Sequence, residues 1–80
     1  MNDDVQRHLE ELATQLDAHA GEDADRAQKL GAEVRSQMAD GAPHGLRERL
    51  TEEAIAFENN HPDLSAVLLR AAELLGGAGI

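Results

Sequence analysis

The chain has 80 residues, 16 acidic side chains against 7 basic ones, and a formal net charge of −9. It contains no Cys, Trp or Tyr and one Phe, at position 57. That length supports one small domain, and the composition excludes a nucleic-acid binder built on neutralised phosphates and stacked bases, a disulfide framework, a thiolate zinc site and a cysteine nucleophile.

The first element opens on Met1-Asn2-Asp3-Asp4, acidic where a signal peptide needs a basic start, so the expected compartment is the cytoplasm. Val5, Leu9, Leu12 and Leu16 then recur at helical spacing within roughly 60° of one another, a narrow apolar stripe. Asn2, Asp3 and Asp4 supply an N-cap and negative charge at the start of that helix. The stripe turns polar at His19 and Asp23, and Gly21 lies between them, which predicts a helix over about 3–20.

Asp23 is placed to cap a second helix, about 24–40, with Ala27, Leu30, Val34 and Met38 on its apolar face and Ala24 and Gly31 at the edge. Gly41 and then Pro43 give the usual C-terminal stop. A third helix, about 46–60, puts Leu46, Leu50, Ala54 and Phe57 on one side. Ile55 falls about 180° from Leu46 and points away from it. Glu52-Glu53 reads as a solvated helix face.

His61-Pro62 interrupts the pattern, because proline disfavours helix at the residue before it but suits the first turn of a new one. The last helix, about 62–76, is the most apolar, with Leu64, Val67, Leu68, Ala71, Ala72, Leu74, Leu75 and Ala78 covering an arc of roughly 160°. Its longest apolar run, Ala66 to Leu69, is ended by Arg70, well short of the roughly 20 residues that cross a bilayer. Residues 77–80 read as a flexible tail. The pattern is all-α throughout: a small hairpin or bundle of two interrupted or four short helices, with a break preferred at both Gly21 and Pro62.

An arc of 160° asks for two or more neighbours, and a chain this short buries only about 60% of its surface. The expected consequence is a homodimer, two copies pairing into a larger helical bundle of the coiled-coil type. Ile55, Phe57, Leu68, Leu69 and Leu75 form the expected interaction surface, open also to a heterologous protein partner.

Catalytic chemistry finds little support. Thr14, Ser36, Thr51 and Ser65 have no neighbouring base, and Gly76-Gly77-Ala78-Gly79 follows a helix where a phosphate cradle would precede one. No catalytic residue and no cofactor are assigned. Glu58-Asn59-Asn60-His61 has the Glu-x-x-His spacing that di-iron bundles use, so a metal-binding dimer through Glu58 and His61 is the alternative. The plainer reading makes Glu58, His61 and Pro62 a structural corner: glutamate, bend, helix restart. His8 and His19 flank the first stripe as boundary residues, and His44 falls in the loop.

Phe57-Glu58, His61-Pro62, Leu64, the leucine-rich helix and the terminal Gly79-Ile80 together resemble the small bacterial domain-of-unknown-function family numbered 4404. Short members of that family end in a similar Phe-Glu-x-x-His-Pro-x-Leu stretch and a final Gly-Ile. The residues that carry the likeness span about the last 35 positions, and Gly76-Gly77-Ala78 departs from the family's more polar ending. The resemblance implies a small helical protein with no assigned activity.

Overall fold

Among the described residues the chain forms four helices: α1 (Asp3–Ala18), α2 (Ala24–Ala39), α3 (Leu46–Phe57) and α4 (Pro62–Gly77). The computed structural model describes residues 3–40 and 45–79. The expected cap at Asn2, the stop at Gly41 and Pro43, His44 and the terminal Ile80 lie outside the described residues. Both breaks anticipated from the sequence are present, so the pattern resolves as four short helices.

Each break has a local cause. After α1, Gly21 and Asp23 both take positive φ, at 89° and 66°, and the chain reverses within five residues. Asp23 holds the N-cap position of α2 but makes no side-chain capping bond, against the sequence expectation. Its left-handed backbone turns the carboxylate towards the ring of His61, with Oδ2 3.3 Å from Nε2. The helix α3 stops at Phe57, three residues before its expected end. Glu58 N–H donates to the Ile55 carbonyl at 3.3 Å and His61 N–H to the Phe57 carbonyl at 2.8 Å, closing the turn, and Pro62 starts α4. The Ala54 carbonyl, in the last turn of α3, instead accepts a 2.7 Å bond from the buried Ser65 hydroxyl of α4. That bond clamps the second hairpin across its base. The tail expected to be free from residue 77 is helical at Gly77, and Ala78 and Gly79 donate back to Leu74 and Gly76.

The helices run alternately up and down. In the bundle, α1 packs on α2, α3 on α4, and α1 more lightly on α4. Across the remaining side, α2 and α3 face each other through two ion pairs, Arg26 with Glu53 and Glu33 with Arg49. These pairs cross in opposite sequence order, which fixes α2 and α3 as antiparallel. The molecule measures 32 × 19 × 18 Å, about a third longer than one 16-residue helix at about 24 Å.

One continuous core fills the centre. The α1 stripe (Val5, Leu9, Leu12, Leu16) meets Leu30 and Val34 of α2, Leu46, Leu50 and Phe57 of α3, and Leu68 and Leu75 of α4. Here the expected interaction surface is corrected. Phe57, Leu68 and Leu75 are interior, at 1% exposure or less. The wide face of α4 does have two neighbours, but both belong to its own chain: α3 on one side and α1 on the other. Ile55 and Leu69 remain outside, at 65% and 42% exposure, with Leu74 at 37%.

At Gly31, α2 lies close against α1. A Cβ there would lie 2.9 Å from Asp17 Oδ1, 3.3 Å from Leu16 Cβ and 3.4 Å from the Ala13 carbonyl. Asp17 is also paired with Arg35 of α2, so its carboxylate is not free to swing aside without losing that contact. In an open helix Gly→Ala gains about 1 kcal/mol from propensity. At position 31 the change is expected to give a net loss of up to about 1 kcal/mol, because crowding outweighs that gain. Urea denaturation followed by circular dichroism measures it, and a net gain would show that the two helices part without cost.

Candidate functional site

Two regions gather side chains with chemistry or exposure to spare. The first is the end of the bundle where the α1–α2 and α3–α4 turns meet. Phe57 is the largest fully buried side chain and sits at the base of this end. The rings of His19 and His61 pack edge-on to it, at centroid distances of 6.3 Å and 5.8 Å, and lie 4.5 Å from each other. The Arg26 guanidinium covers the Phe57 ring at 5.9 Å, within reach of a cation–π contact. His19 Nε2 lies 3.1 Å from the Glu22 carbonyl oxygen, which holds its ring across the turn.

Next to this cluster, Arg26 and Glu53 form a bidentate pair. Nε lies 2.9 Å from Oε1 and Nη2 lies 2.8 Å from Oε2. Glu53 is buried, at 5% exposure, which corrects its reading as part of a solvated face; Glu52 beside it is exposed. The Arg26 hydrogen bonds hold the Glu53 carboxyl below the usual carboxylate range even though burial pushes it up, and Arg49 adds to the lowering. The same pair raises Arg26 above the ordinary arginine value. A helical wheel contains the signal: Glu53 falls about 20° from Leu46, inside the apolar face. The Arg26 partner has no such signal, because it comes from another helix.

The corner residues lie between α3 and α4. Glu58 follows the last turn of α3 with its side chain exposed, His61 precedes α4 with its ring turned towards Asp23, and Pro62 occupies the first turn. Among the described residues, no group of three or more His, Asp or Glu side chains is placed to hold a metal ion. Among the described residues, His8 Nε2 on α1 and His61 Nε2 are buried without a hydrogen-bond partner.

The second region is the outer side of the α3–α4 hairpin. A shallow groove there is lined by Arg47, Glu48, Thr51 and Glu52 of α3 and by Leu69, Ala72, Glu73 and Gly76 of α4. Ile55 lies one helical turn beyond Thr51 and Glu52 on the same side of α3. Of the five residues expected to form an interaction surface, Leu69 lines the groove and Ile55 is exposed on α3 beyond it, whereas Phe57, Leu68 and Leu75 are in the core. Among the described residues, no helix is long and apolar enough to cross a membrane.

These features define an up-and-down four-helix bundle with a closed core and one partly apolar outer face. The chain belongs to the family described as Domain of unknown function (DUF4404), whose model matches residues 5–80. No curated protein and no solved structure matches it.

Proposed function

We propose that the protein is a non-catalytic interaction module whose working surface is the outer face of α3 and α4. The supporting observation is that Ile55 and Leu69 stand in solvent on adjacent helices although the interior is already filled by Leu50, Phe57, Leu68 and Leu75. Apolar side chains that the fold does not use, flanked by charged ones, are the composition of a docking face. Two of the side chains capable of chemistry are meanwhile engaged within the fold: Glu53 with Arg26, and His19 with the Glu22 carbonyl. Self-association uses the same face in this reading. With Phe57, Leu68 and Leu75 inside and nine net negative charges on each copy, it amounts to a weak dimer that salt strengthens. The rival, a metal-binding dimer through Glu58 and His61, gains no cluster of three or more ligands among the described residues to favour it.

Site-specific photocrosslinking in the native host tests the reading. A photoreactive side chain at position 69 is expected to capture protein partners, and one at position 10 on α1 is not. Equal capture from both positions, or none from position 69, would remove the face from consideration. In parallel, Ile55→Ser with Leu69→Ser is expected to leave stability within about 1 kcal/mol of the parent, as exposed substitutions do. A larger loss would mean that these residues serve the fold.

A further inference from the structure

The groove on the outer α3–α4 face has a small apolar floor between acidic walls. Leu69 and Ala72 form the floor, Glu48 and Glu52 stand on the α3 wall, and Glu73 stands on the α4 wall. Arg47 also lines the groove, but its Nη2 lies 3.4 Å from Glu48 Oε1, so its charge is balanced locally. Glu52 and Glu73 make no ion pair with any described residue, and each is exposed. From Arg47 to Ile55, just beyond the groove, α3 rises about 12 Å, a little over two helical turns.

We infer that the groove docks an amphipathic α-helix of a partner protein, one whose apolar stripe is flanked by Lys and Arg. This rests on the interaction-module reading above and names the class of partner. A third helix laid along two antiparallel ones covers Leu69 and Ile55 with residues at i, i+3 and i+7. Docking also takes water from Glu52 and Glu73. A neutral or acidic occupant would leave these carboxylates poorly solvated and unpaired, whereas flanking cations meet them. A second copy of this chain brings nine more net negative charges to the same place and fits less well.

The experiment uses the full chain and two synthetic helical peptides that share one leucine pattern, the first flanked by Lys and the second by Glu. Amide chemical shifts locate the contact, and fluorescence anisotropy gives affinity at about 20 mM and about 200 mM salt, either side of a Debye length near 10 Å. The Lys-flanked peptide is expected to shift residues around Ile55, Leu69 and Ala72, and to bind at least about ten-fold more tightly than the Glu-flanked one at low salt. Salt should narrow that gap. Because the whole chain is acidic, general adhesion is separated by two charge-reversed variants of equal net charge. Glu52→Lys with Glu73→Lys should weaken binding about ten-fold, and Glu10→Lys with Glu11→Lys on α1 by less than about two-fold. Equal losses from the two variants would overturn the inference. Equal binding of both peptides at Ile55 and Leu69 would overturn the cationic partner and leave the docking face standing. Shifts at those residues on concentrating the protein alone, where neither peptide binds, would make a second copy the occupant and would also overturn the inference. No shift there from either peptide or from concentration would count against the face itself.

Discussion

Phe57→Ala is expected to cost about 3–5 kcal/mol of folding stability. A domain of this size holds only about 4–12 kcal/mol in total, so much of the variant should be unfolded at room temperature or in mild denaturant. Phe57 is the chain's one aromatic residue outside histidine and its largest fully buried side chain. It ends α3 where the two inter-helix turns converge, and His19, His61 and Arg26 are all arranged around its ring. Removing the ring leaves a void that His19 and Arg26 cannot fill, because each is held elsewhere: His19 at the Glu22 carbonyl and Arg26 on Glu53. Ile55→Ala, two residues earlier, should cost less than about 0.5 kcal/mol, because that side chain already lies in water. Urea titrations of the two variants, followed by far-ultraviolet circular dichroism, provide the comparison. Similar small losses for both would place Phe57 outside the core and return it to the surface.

The contrast between these neighbours also shows what the sequence conveys. Helical spacing put Phe57 with Leu46 and Leu50 and put Ile55 on the opposite side, and the structure agrees. The same spacing showed that α4 has too broad an apolar face for one neighbour. It could not show which neighbours cover that face, because periodicity describes one helix at a time and says nothing about how helices are laid side by side. With α1 closing against α4 inside a single chain, Leu68 and Leu75 need no second copy. The breaks at Gly21 and Pro62 were legible because glycine and proline act locally on the backbone. The end of α3 was less so, because the Ala54 carbonyl in its last turn is taken by Ser65, eleven residues on and across the hairpin.

The candidate site was harder to read for the same reason. Asp23 looked like a cap because aspartate before a helix usually caps it, but its left-handed φ redirects the carboxylate to His61, a residue brought close only when both hairpins are folded. Glu53 lay on the apolar face by its angle, yet a carboxylate is normally assigned to water. Its burial makes sense only once Arg26 arrives from α2 with two parallel hydrogen bonds. Glu52 and Glu73 show the opposite case: their exposure follows from position alone, and what gives them meaning is the groove that two helices make between them.

Arg26→Ala is expected to cost about 1–3 kcal/mol at neutral pH, because it leaves a buried carboxylate without its two charge-assisted bonds. A fully buried pair would lose about 3–5 kcal/mol. The smaller figure applies because half of the Arg26 side chain is in water and Arg49 stays close to Glu53. The pH dependence has a definite sign. Pairing lowers the Glu53 carboxyl below its ordinary value of 4.5, so the native state binds this proton less readily than the unfolded chain. Such a group contributes its full stabilisation above the unfolded-state pKa and loses it as pH falls through the folded one. Arg26 itself is raised and stays protonated in both states across this range, so it adds nothing to the acid limb. The parent protein should therefore lose the Glu53 contribution on acidification below about pH 4.5, and the gap between parent and Arg26→Ala should close there. Glu53→Gln should show the same narrowing, since an amide at that position has no charge to lose. Chemical denaturation of all three proteins at pH 7 and pH 3 reads the effect directly. A gap of equal size at both pH values would mean that Arg26 stabilises the bundle by packing over Phe57, and that its charge on Glu53 contributes little.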